Sequence, residues 1–90
     1  MTRLERVQTG VRLEKRLVKV LKGTAEYLDL SLGDLLEEIV LHAFEGSAPF
    51  EPTTLEKIEQ LRAVYGLELT AADSGRLEER RRVATNRYPR

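Results

Sequence analysis

The sequence predicts a small, mostly α-helical fold with one short N-terminal strand, completed by a second copy of the same chain. Three observations carry this expectation. Apolar and polar residues alternate over residues 7–13. Two helical periodicities follow without a gap, and the second is apolar over too wide an arc for one neighbour to cover. The chain has ninety residues and no cysteine, so no disulfide supplements a small core. A partner chain is then the most economical source of further buried surface.

In the N-terminal segment Val7, Val11 and Leu13 are apolar, with Thr9 between them, while Arg6, Gln8 and Arg12 are polar. A period of two describes a strand with one apolar face and one hydrogen-bonding face. No second strand signal follows. The expected partner is therefore the same strand from a second chain, forming a two-stranded antiparallel intermolecular ribbon in an intertwined homodimer. A ribbon of that width fits the major groove of DNA.

A first helix is expected over 14–28, with Leu17, Val20, Leu21, Ala25 and Leu28 on one stripe. Lys15, Arg16, Lys19 and Lys22 fall mostly elsewhere on the wheel. Gly23 lies mid-helix, where glycine costs up to ~1 kcal/mol relative to alanine; close packing or simple tolerance accounts for it. Asp29-Leu30-Ser31 breaks the chain, and Ser31 suits the N-cap of a second helix over 32–45. That helix carries Leu32, Leu35, Leu36, Ile39, Val40, Ala43 and Phe44, enough to face both the first helix and a second chain. Asp34, Glu37 and Glu38 lie near its positive end.

Gly46 ends the second helix, and Pro49 and Pro52 make residues 47–53 a linker. Thr53-Thr54-Leu55-Glu56 reads as a capping box that opens a third helix over 54–65, with Leu55, Ile58, Leu61 and Tyr65 as its stripe and Gly66 as its stop. The expected organisation is a dimerisation and DNA-binding unit over 1–46, the linker, an extra C-terminal accessory helix within 54–66, and a basic, partly disordered tail over 67–90.

The formal net charge is zero, but the charge is segregated. Residues 1–22 hold seven basic and two acidic side chains, residues 23–75 two basic and eleven acidic, and residues 76–90 six arginines and two glutamates. The basic N-terminal block coincides with the strand, as a phosphate-facing element requires. Other classes are disfavoured. One histidine, His42, and no cysteine leave no metal-ligand cluster. No Gly-rich phosphate loop and no nucleophile beside a base is present, so neither an enzyme nor a cofactor is expected. No run approaches the ~18 apolar residues of a membrane span, and no signal-peptide pattern follows Met1. A soluble, cytoplasmic protein without a membrane partner is expected.

Strand, helix, tight turn, helix, without insertions, resembles the ribbon-helix-helix family of Arc, MetJ and CopG-like repressors. The likeness covers residues 7–45. It rests on the strand alternation leading into Leu13, on Leu17, Leu21, Ala25 and Leu28, on Leu30-Ser31 at the turn, and on Leu35, Leu36, Ile39 and Val40. The resemblance implies that ribbon side chains read bases and that the second helix starts on a phosphate. Carried onto this chain, the base readers are Gln8, Gly10 and Arg12. The phosphate contacts are Ser31, with its hydroxyl, and the backbone of Leu32. Arg6, at the entry to the strand, would also meet phosphate. Arginine can donate twice to guanine and glutamine can pair with adenine. Gly10 has no side chain to read with, Asp34 stands near the phosphate position, and Asp29 fills a turn position where the family often has glycine. The function implied is a homodimeric, sequence-specific transcriptional repressor binding double-stranded DNA. The alternative is a dimeric protein-interaction module, or an antitoxin-like protein, whose C-terminal region binds a partner protein and whose DNA binding is weak or absent.

Overall fold

The computed structural model describes residues 3–73, which form a three-helix, all-α chain. The helices are α1 (Lys15–Leu28), α2 (Leu32–Glu45) and α3 (Pro52–Tyr65), followed by a 3₁₀ turn at Ala71–Asp73. The basic stretch 76–90 lies outside the described residues.

Local chemistry explains the helix ends. Glu14 is the N-cap of α1, and its carboxylate accepts the amides of Arg16 (2.8 Å) and Leu17 (3.0 Å). Asp29 closes α1 in the left-handed region at φ 60°, which aspartate tolerates better than most side chains. The amides after the helix then return to Ala25 and Glu26 carbonyls. Ser31 caps α2 by accepting the Asp34 amide at 3.1 Å. Gly46 and Gly66 end α2 and α3 at positive φ, where a Cβ would be strained.

The start of α3 differs from the capping-box reading. The helix begins at Pro52, two residues early, with Glu51 as an N-cap that makes no side-chain bond. Proline has no N–H to lose at the first helical position, and its fixed φ favours starting there. Thr54 is instead buried inside the first turn.

The larger correction concerns the N-terminus. Among the described residues there is no strand and no sheet; residues 3–14 carry no regular secondary structure and are exposed, apart from half-buried Glu14. The expected N-terminal strand, the two-stranded ribbon and the intertwined ribbon-helix-helix architecture built on it are therefore replaced by an all-α chain. An unpaired strand leaves its amides and carbonyls without partners. The other long described segments have become helices, so none remains to supply them. The alternation of Val7, Thr9, Val11 and Leu13 defined a face, and a face does not supply a ladder.

Helix α1 is the centre of the fold. It packs against α3 and, less extensively, against α2, whereas α2 and α3 do not pack on each other. The core is Val20 and Ala25 of α1, Leu35 of α2 and Leu67 beyond α3, with Thr24 and Thr54 buried beside them. Thr24 would be costly in that setting, but its Oγ1 donates to the Val20 carbonyl at 2.8 Å. Gly23 serves close packing: a Cβ there would stand 3.0 Å from Leu61 Cδ2 and 3.1 Å from Cδ1. Two cation–π contacts also join α1 to α3, Lys19 over Tyr65 at 5.7 Å and Lys57 over Tyr27 at 5.6 Å.

Much apolar surface stays open. Val7 is 84% exposed, Val11 71% and Phe44 82%. Val40 and Leu41 join Phe44 as an exposed ridge along α2. A single chain thus covers only the part of α2 that meets α1.

Candidate nucleic-acid interface

The basic residues of the N-terminal third occupy two settings. Arg3, Arg6 and Arg12 lie on the irregular, exposed segment, and Lys15, Arg16, Lys19 and Lys22 project from the outside of α1. Helix α1 carries four cations in this arc, with the N-capping Glu14 just before it and Glu26 one turn after Lys22. Among the described residues, Arg3, Arg12, Lys15 and Lys22 form no ion pair with a carboxylate. Lys19 rests on Tyr65, and Arg16 is drawn to Glu14 (3.0 Å) and to the Gly66 carbonyl (3.4 Å).

Of the sequence-derived base readers, Gln8, Gly10 and Arg12 are all exposed on the segment before α1. Nothing lies within 4 Å of a Cβ built on Gly10, so its lack of a side chain serves no close approach within the chain. The three phosphate candidates lie at one corner. Arg6 reaches the first turns of α2, where its Nη2 is 3.9 Å from Asp34, the residue whose amide is capped by Ser31. The amides of Leu32 and Gly33 stand in the first turn without an intrahelical acceptor, as at any helix start.

That corner is not an open anion site. Arg6 donates through Nε and Nη2 to both carboxylate oxygens of Glu37, each at 2.9 Å. The side-chain hydrogen bond to Glu37 raises the Arg6 pKa further above its ordinary value and holds the Glu37 carboxyl below the usual carboxylate range. A phosphate at Arg6 would have to displace Glu37. Sequence reasoning missed this pairing because 31 residues separate the two partners. Glu37 carried a signal only as one of several acids near a helix start.

Glu14 is the other residue that sequence reasoning missed, taken there as the first residue of the helix rather than its cap. The Leu17 amide is the main cause holding the Glu14 carboxyl below the usual range, helped by the Arg16 side chain and amide. Because this pKa is depressed by folding, the cap's stabilisation is present above the ordinary carboxylate value and is lost as pH falls through the lower, folded value. The amides of Arg16 and Leu17 are therefore expected to lose exchange protection below about pH 4, before amides in the middle of α1. Equal acid sensitivity of both sets, or no change in Glu14→Gln, would show that the carboxylate does not cap the helix.

His42 is bound at both ring nitrogens, Nε2 to Glu38 (3.1 Å) and Nδ1 to Ser47 Oγ (3.0 Å). His42 lies in the last turn of α2, with Glu38 one turn before it and Ser47 just past the helix end. No group of three or more His, Asp or Glu side chains among the described residues is placed to hold a metal ion. No helix among them is long and apolar enough to cross a membrane. Comparison with protein-family models, with curated proteins and with solved structures finds no match.

Proposed function

We propose that this protein is a homodimeric DNA-binding transcriptional regulator, a repressor, that meets DNA with its exposed basic segment and the adjoining face of α1. One observation carries the reading: Arg3, Arg12, Lys15 and Lys22 lie on an exposed N-terminal third and form no ion pair with a described carboxylate. Nucleic acid is the ordinary polyanion for such an array, and its counterions are released on contact. The dimer is supported by the uncovered apolar ridge of Val40, Leu41 and Phe44. The resemblance noted above is read here as a likeness in the α1–α2 pair and its Ser31 cap, with the DNA contacts carried by a segment that is not a strand.

Capture of sheared genomic DNA by the purified protein at moderate salt, followed by sequencing, tests this. Enrichment of a few fragments sharing a repeated half-site is the expected result. Uniform or absent recovery by folded protein would sink it. Arg12→Ala should lower preference for the enriched sequence by about 5- to 150-fold, the worth of one bidentate base contact. Competition binding against unrelated DNA measures it, and an unchanged ratio would remove Arg12 from the reading set.

A second reading is favoured by a specific observation. Arg6 is neutralised by Glu37 and lies near Asp34, and Gly10 offers no side chain. A dimeric module that binds a protein through its C-terminal region accommodates both facts. Salt separates the readings: affinity for DNA falls steeply with salt when several phosphates are contacted, whereas an apolar protein contact is little affected.

A further inference from the structure

A cavity of about 440 Å³ lies where the chain leaving α3 passes the start of α1. Its size falls in the range of small-molecule sites, ~300–1,000 Å³. Buried Leu67 contributes to its lining, with Leu17 of α1 and Leu69, each 37% exposed, beside it.

Three charged side chains also line the cavity, and only Arg62, loosely ion-paired with Glu59, makes no side-chain hydrogen bond among the described residues. Glu14 already accepts two backbone amides and the Arg16 side chain. Asp73 accepts the Thr70 amide at 2.8 Å and the Thr70 hydroxyl at 3.3 Å. Arg62 differs. Its side chain is only 25% exposed, yet its nearest carboxylate oxygen, on Glu59, is 3.8 Å from Nε, beyond hydrogen-bond reach. Its guanidinium donates no hydrogen bond to any described residue. A partly buried guanidinium with unused donors is matched by the two oxygens of a carboxylate.

We propose that this cleft binds a small organic carboxylate with a compact apolar body, the carboxylate on Arg62 and the body against Leu17, Leu67 and Leu69. The site is independent of DNA binding and stands whether or not the protein is a regulator.

The test uses the full chain, labelled with ¹⁵N, and two probes of one shape, 4-phenylbutyrate and its neutral amide. Addition of the acid should produce saturable shifts at the amides of Leu17, Leu67, Leu69 and Ala71. The neutral probe should bind about tenfold more weakly, the worth of a charge-assisted hydrogen bond. Arg62→Lys should keep the preference for the acid, and Arg62→Gln should abolish it by lowering the acid's affinity to that of the neutral probe. Leu69→Asp, on a partly exposed wall, should abolish binding of the acid even if Arg62→Gln proves unstable. Equal affinity for the two probes, or no saturable shift at these amides, would overturn the proposal. So would shifts at the same amides on dilution of the free protein, which would assign the cleft to a second copy.

Discussion

Leu35→Ala is expected to cost about 2–5 kcal/mol, the usual range for truncating a fully enclosed leucine. Leu35 is the most deeply buried apolar side chain, at 1% exposure, and the only buried residue of α2. The fold is small, with four buried apolar side chains among the described residues, so its total stability belongs at the lower end of the common ~5–15 kcal/mol. Loss of Leu35 therefore removes a large fraction of it. In a chain of this length each 1 kcal/mol shifts the melting temperature by roughly 4–8 °C, so the variant should melt at least about 8 °C lower. Leu55→Ala is the control, since it deletes the same atoms from a residue 49% exposed on α3. Thermal denaturation followed by circular dichroism compares the two. Similar losses in both variants would mean that α2 is not held to α1 through Leu35.

Phe44→Asp should dissociate the proposed dimer without unfolding the chain. Phe44 is 82% exposed, so the single chain loses little packing when it is replaced. In a symmetric interface each substitution acts twice. Burial of one phenylalanine contributes about 1.5–3 kcal/mol, so the pair should weaken association by about a hundredfold to ten-thousandfold. Sedimentation velocity over a range of concentrations measures this. Dimeric Phe44→Asp protein would place the interface elsewhere, and a wild-type chain that stays monomeric at high concentration would remove the dimer from the proposed function. If DNA binding depends on two copies, the same variant should lose affinity for an inverted repeat, with Arg12 and its neighbours untouched.

Legibility in the sequence followed the range of the interactions. Ser31, Gly46 and Gly66 mark helix ends through contacts within a few residues, and the corresponding helices begin and end close to those marks. The apolar stripes indicated which faces turn inward, but not how far. Of the seven apolar residues expected on α2, only Leu35 is buried, while Val40, Ala43 and Phe44 stay exposed. Leu67 was assigned to a tail, yet it is 5% exposed, because the turn after Gly66 folds it back and its amide bonds to the Arg62 carbonyl. The candidate interface shows the same division. The concentration of cations in residues 3–22 is a property of composition, whereas the engagement of Arg6 by Glu37 and of Lys19 by Tyr65 depends on where α2 and α3 lie.

By itself the sequence determined three helices, the Ser31 cap, the glycine stops at Gly46 and Gly66, and the separation of a basic N-terminus from an acidic middle, because these depend on neighbours along the chain. The tertiary structure alone decided that the alternating segment is unpaired, that α1 is the element on which both other helices pack, and that Glu37 occupies the arginine expected to meet phosphate. Each of those outcomes is set by residues far apart in sequence, whose meeting depends on which surfaces bury the most apolar area together and on which polar groups find partners once they do.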